Sequence, residues 1–228
     1  MSDLTAPERA KPRRHVLADE VYVAIKAMLM DHVIRPEARV SIDGLAREFE
    51  VSPTPVREAL ARLESDGLVS KEPLRGYRAT PLLTREQLDD LYQFRRLIEP
   101  WAARRAAENI DDAGASALRE ELASAVVPSG DGFRAYQGFA AHDTRFHALL
   151  TRLSGSEQVR LAFERTHCHL HIFRLYFAHD IGSEALAEHQ RIADAVIDGD
   201  PSGAEQAMLD HLDTSRIQRL HTVHPESR

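Results

Sequence analysis

Val51-Ser52-Pro53-Thr54-Pro55-Val56-Arg57-Glu58-Ala59-Leu60 decides how the first third of this 228-residue chain folds. Val56, Leu60 and Leu63 recur at helical spacing behind Pro53 and Thr54, which predicts a helix from there to about Ser65 with those three side chains inward. Proline is tolerated in a first helical turn, where its missing N–H has no partner to lose. Asp66-Gly67 closes the helix at a position that accepts a positive φ. Upstream, Ser41 suits the N-cap of a short helix through Phe49, with Leu45, Ala46 and Phe49 on the buried side. An earlier helix spans 16–34, where Val21, Ile25, Met28 and Leu29 share a face. Ile34-Arg35-Pro36 ends it, because the residue before a proline is pushed out of the α region. Downstream, Leu68-Val69-Ser70 and Tyr77-Arg78-Ala79 read as two short strands joined through Lys71 to Gly76. Helix, turn, helix and a β-wing make a winged helix-turn-helix.

In such a unit the start of the second helix meets base edges and phosphates of double-stranded DNA. Here that start carries Ser52, Thr54 and Arg57. Hydroxyls and helix N-terminal amides position a helix on phosphate oxygens, whereas Arg57 can fork onto guanine O6 and N7. Arg62 lies further along and is expected to meet DNA backbone or solvent. Lys71 and Arg75 bracket the wing, and Gly76 lets its backbone approach closely.

The charge distribution supports two units with two tasks. Residues 1–80 carry 13 basic and 13 acidic side chains, while the remainder carries 16 and 23 and so accounts for the whole net charge of -7. The acidic part would be repelled by phosphate on its own. No apolar run reaches the roughly 18 residues of a membrane span. Residues 1–14 have no apolar centre and do not resemble a signal peptide. The single cysteine, Cys168, excludes an internal disulfide framework and fits a cytoplasmic location.

The reading along the chain is a flexible tail at 1–14 and a winged helix-turn-helix at 15–80. A linker at 81–86 leads to an all-helical effector, metal-binding and dimerisation domain at 87–222, with a tail at 223–228. Breaks near 109–112, 128–132, 154–156, 182–183 and 199–201 divide the second domain into about six helices. The fold class is therefore mainly α, with a small β-wing.

Asp143 and His147 stand four apart, on a helix face shared with Phe139, Phe146 and Leu150. His189 shares a face with Ile192 and Val196, and His211 follows Met208 beside Leu212. Inward polar groups on facing helices are how bundles build metal cages. Three imidazoles and a carboxylate suit a divalent ion such as zinc or nickel. With 12 histidines in the chain, each of them taken singly is more often a satisfied core or surface residue. His167 and His171 also share a face, and residues two apart, such as His167 and His169, do not.

Ser52-Pro53-Thr54-Pro55-Val56-Arg57-Glu58-Ala59-Leu60, with Leu63-Glu64, Asp66-Gly67-Leu68 and the wing Gly76, resembles the GntR family of bacterial transcription regulators. Two positions depart from that pattern: Pro53 stands where arginine is frequent, and Asp43 where many members carry a DNA-contacting arginine. The acidic half resembles the FCD-type effector domain of the FadR-like branch. There Asp143-Thr144-Arg145-Phe146-His147, His189-Gln190-Arg191-Ile192 and His211 occupy the metal-ligand positions. The resemblance also implies that Arg95, in Tyr92 to Pro100, faces an effector cavity, and Arg174 is a second candidate. An arginine fork holds a carboxylate bidentately.

These readings imply a homodimeric repressor of a metabolic operon. It would read a palindromic operator and answer to a small carboxylate bound near the metal. A regulator that senses the metal alone is the first alternative. A metal-dependent hydrolase is the second, but the sequence offers no acid–base pair beside the ligands; Glu188, next to His189, points elsewhere on its helix.

Overall fold

The computed structural model describes residues 13–73, 75–128, 132–175 and 181–222. The chain divides between Thr80 and Pro81 into two compact units.

The first unit contains α1 (Arg13–Met30), β1 (Arg39–Val40), α2 (Ile42–Glu48), α3 (Pro53–Ser65), β2 (Val69–Glu72) and β3 (Gly76–Ala79). The strands form one antiparallel sheet in the order β1-β3-β2, with Val40 opposite Tyr77 and Val69 opposite Ala79. This is the expected winged helix-turn-helix, with one addition. β1 is only two residues long, too short to show a period-two pattern.

The helix ends follow from capping chemistry. The Ser41 hydroxyl accepts from the Gly44 N–H at 3.0 Å and starts α2. Gly67, at φ 73°, ends α3; its N–H donates to Glu64 O and that of Leu68 to Leu63 O. That pair of bonds is a Schellman closure. α1 stops at Met30 and not at Ile34, because His32 turns to φ 56° before the proline can act. Met30 takes the buried place expected for Met28. α1 begins at Arg13, two residues inside the expected tail; residues 1–12 lie outside the described residues. Val21, Ile25 and Leu29 of α1 and Val56, Leu60 and Leu63 of α3 are all buried, and the two helices pack against each other.

The second unit contains α4 (Arg85–Asn109), α5 (Asp112–Ala123), α6 (Gly132–Leu153), α7 (Glu157–Thr166), α8 (Cys168–Leu175), α9 (Ile181–Ile197) and α10 (Pro201–Thr222). A Thr84–Gln87 capping box opens α4, so the helix starts inside the expected linker. Among the described residues there are seven helices, not six, because α7 and α8 separate at His167, a left-handed residue at φ 44°. Neither glycine nor proline marks that break. Gly182 and Ser183 sit in the first turn of α9 and not in a break; residues 176–180 lie outside the described residues.

Ala103, Ala106 and Ala107 give α4 a shallow face. α6 sets Phe146, Leu149 and Leu150, α9 sets Ile192 and Val196, and α10 sets Ala204, Met208 and Leu212 into one core with it. A second core joins Leu88 and Tyr92 of α4 to Phe163, Cys168 and Ile172 of α7 and α8. The polar cluster described next is carried by the helices that build these two cores.

Candidate metal centre and nucleic-acid interface

α6 places Asp143 and His147 one turn apart, α9 supplies His189 and α10 His211. One ligating atom from each lies within 4.8 Å of all the others, and all four residues are buried. Asp143 Oδ1 is 3.4 Å from His189 Nε2 and 4.0 Å from His147 Nε2. Those gaps are too long for good hydrogen bonds and match two ligands of one ion at about 2.1 Å each. The buried Nε2 atoms of His147 and His189 have no hydrogen-bond partner. Leaving such atoms unsatisfied is costly, and a cation between them would satisfy both. The donor set therefore fits a divalent metal.

The far nitrogens of these rings are all engaged. His147 Nδ1 lies 2.5 Å from Glu99 Oε2, and His211 Nδ1 lies 2.7 Å from Glu188 Oε2. His189 Nδ1 is 3.0 Å from His142 Nε2, whose Nδ1 is 2.9 Å from Glu121 Oε1. An N–H donated at Nδ1 fixes the tautomer that leaves Nε2 bare for a metal. Burial, reinforced by neighbouring positive groups, holds His147 and His189 well below the usual imidazole range, so both stay neutral, as ligands must. Burial pushes Asp143 the other way, above the usual carboxylate range. A cation beside it would reverse that direction.

Arg95 is buried on α4 and pairs with Glu99, with Nε at 2.5 Å from Oε1. Together with Tyr92, Asp143, Glu188, His211 and Arg219 it lines a cavity of about 20 Å³. That holds about one water. Arg174 is equally buried on α8 but does not line this cavity. Arg219, whose guanidinium lies over the Phe173 ring at 5.1 Å, does.

The sequence reading missed His142, His169, Glu99 and the part played by Glu188. Glu188, expected to point elsewhere, instead lines the same cavity as Asp143 and His211, with its Oε2 at 2.7 Å from His211 Nδ1. His169 enters the site because the break at His167 resets the helical phase. Its Nε2 stands 3.2 Å from Asp143 Oδ2. The spacing of Arg95 and Glu99 was the available signal for an intrahelical pair, but nothing in it shows that the pair is buried. His167 and His171 do not join the cluster.

In the winged unit, Ser52, Thr54 and Arg57 are exposed at the start of α3, and Lys71 and Arg75 are exposed on the wing. Ser52 is the N-cap residue but makes no side-chain capping bond. Gly76 adopts φ +89°, where L side chains are strained. Arg62 is differently placed. It pairs with Asp19 of α1 and stacks on the Tyr22 ring at 4.2 Å, which ties α3 to α1. No described helix is long and apolar enough to cross a membrane.

Residues 17–78 match the family described as bacterial regulatory proteins, gntR family, and residues 90–214 match the FCD domain. An HTH-type transcriptional regulator from an unstable DNA locus of Streptomyces ambofaciens is 31% identical, over 91% of this chain and 87% of that protein. The HTH-type regulator YdhC of Bacillus subtilis is 26% identical over 89% of each chain. A GntR transcriptional regulator from Rhodococcus sp. RHA1 superimposes with a TM-score of 0.65 at 25% identity, over 90% of this chain and 97% of that one.

Proposed function

This chain belongs to the gntR family of bacterial regulatory proteins and is a DNA-binding transcription regulator, not an enzyme, and from that premise we propose that it represses a metabolic operon until a small carboxylate binds beside a divalent metal in its FCD domain. The observation that carries this reading is the buried Asp143, His147, His189 and His211 cluster, with two imidazole nitrogens that lack partners.

Asp143, His147, His189 and His211 would hold zinc or nickel, which would supply positive charge and Lewis acidity for a carboxylate. Arg95 offers a guanidinium at the same cavity, and Arg219 is better placed than Arg174 to offer a second. Room for about one water means that a metabolite must displace the lining side chains. That requirement gives the ligand different affinities for two arrangements, without which it would shift nothing. Burial of all four ligands argues against the ion itself as an exchangeable signal.

Arg57 reads bases, Ser52, Thr54, Lys71 and Arg75 contact phosphate, and Gly76 lets the wing approach. The regulator acts in the cytoplasm as a homodimer on two palindromic half-sites, about 34–36 Å apart centre to centre.

The test is a thermal-shift screen of short mono-, hydroxy- and dicarboxylates on metal-loaded and metal-stripped protein. A ligand at 100 times its dissociation constant stabilises by about 2.7 kcal/mol. For a chain of this size that is a rise of roughly 5–10 °C. The rise is expected only with metal present; equal shifts without metal would contradict the reading.

A further inference from the structure

Each imidazole of the metal cluster has a group behind it that fixes its orientation, and the structure shows what stands behind the carboxylate. Asp143 turns Oδ1 toward His189 and His147. Its other oxygen, Oδ2, faces His169 Nε2 at 3.2 Å. His169 is buried on α8, and its ring packs edge-on against Phe163, with centroids 5.5 Å apart. On the far side, His169 Nδ1 lies 3.4 Å from Cys168 Sγ.

The tautomer follows from the neighbours. Either ring nitrogen of a neutral His169 can carry the proton, and its contacts choose between them. With that proton on Nδ1, a bare Nε2 lone pair would stand 3.2 Å from a carboxylate oxygen, a repulsive contact. Arg95 Nη2 is the other candidate donor to Nε2 among the contacts described; Glu99 takes one of its two N–H groups, and the remaining one faces Nε2 at 3.4 Å, a longer contact than the 3.2 Å to Asp143 Oδ2. With the proton on Nε2, the ring donates to a charged acceptor, which is the stronger bond. Nδ1 then accepts from the Cys168 thiol, whose pKa burial pushes up to about 11, so it keeps its hydrogen.

We propose that His169 is a positioning residue for the metal centre: it donates Nε2–H to Asp143 Oδ2, holds that carboxylate to one metal-facing oxygen, and so keeps a coordination position open for the effector. This rests on the reading of Asp143 as a ligand. Freed from His169, Asp143 can offer both oxygens to the ion, because carboxylates bind metals through one oxygen or two. The position that an effector carboxylate needs would then be filled from within the protein. Cys168 enters as the group that keeps the His169 proton on the correct nitrogen.

The test compares full-length, metal-stripped wild type with His169→Phe, which keeps a packed ring but loses the donor, and His169→Gln, which keeps an N–H donor. Zn²⁺ affinity is read by competition with a chromophoric chelator, and coordination by the visible spectrum of the Co²⁺-loaded protein. H169F is expected to bind Zn²⁺ about 10- to 100-fold more weakly than wild type, the usual loss when a supporting partner of a ligand is removed. Its Co²⁺ band should weaken, as it does when coordination number rises. H169Q should lie closer to wild type in both readouts. If wild type binds Zn²⁺ while H169F and H169Q match each other in affinity and spectrum, the role of His169 is overturned and the metal site stands. If wild type takes up no Zn²⁺, the metal site and the role of His169 both fall.

Discussion

Arg57→Ala should weaken operator binding by about 1–3 kcal/mol, roughly 5- to 150-fold, and relax preference at one base position. The effect is expected to be large because little else on α3 can substitute. Pro53 and Pro55 carry no N–H, so the first turn offers phosphate fewer amides than usual. Asp43 places a negative charge in the first turn of the preceding helix. Arg62 is engaged by Asp19 and Tyr22 of α1. Arg62→Ala is therefore the control: it should lower the thermal stability of the winged unit and leave base preference intact. Fluorescence anisotropy on an operator and its single-base variants separates the two effects. Unchanged affinity in Arg57→Ala would remove that residue from the reading head.

Loss of metal is the second large effect expected. Wild-type protein purified without added metal should carry about one divalent ion per chain by elemental analysis, and His147→Ala/His189→Ala essentially none. Both imidazoles present a buried nitrogen to the same point, and removing two of four ligands leaves too few for a stable site. Phe146 stacks on His189 with ring centroids 4.2 Å apart, so helical content must be checked in the variant by circular dichroism. Equal metal content in folded wild type and variant would refute the site.

Much of this was legible in the sequence, for identifiable reasons. The start of α2 and both ends of α3 could be placed from Ser41, Pro53 and Gly67 alone. Asp143 and His147 were legible because a single helix turn joins them. His189 and His211 needed the family resemblance, since no spacing rule links residues on different helices. β1 escaped because two residues show no period, and α1 ended early at His32, a residue type that seldom marks a stop. His169 escaped for the same kind of reason. The left-handed turn at His167 carries no glycine, and a continuous helix would have sent His169 to another face. Glu99 and Glu188 read as ordinary solvated acids. Only the fold shows them buried against His147 and His211, partners 48 and 23 residues away.

The claim at the centre of this account is that an acidic helical domain converts metabolite binding into release of DNA. An anisotropy titration of labelled operator with metal-loaded protein, in the presence and absence of the carboxylate that most raises its melting temperature, tests it directly. Coupling of about 1–3 kcal/mol predicts operator affinity weakened roughly 5- to 150-fold by the carboxylate. The effect should vanish when a chelator has removed the metal. Operator affinity that stays the same while the carboxylate demonstrably binds would contradict the account.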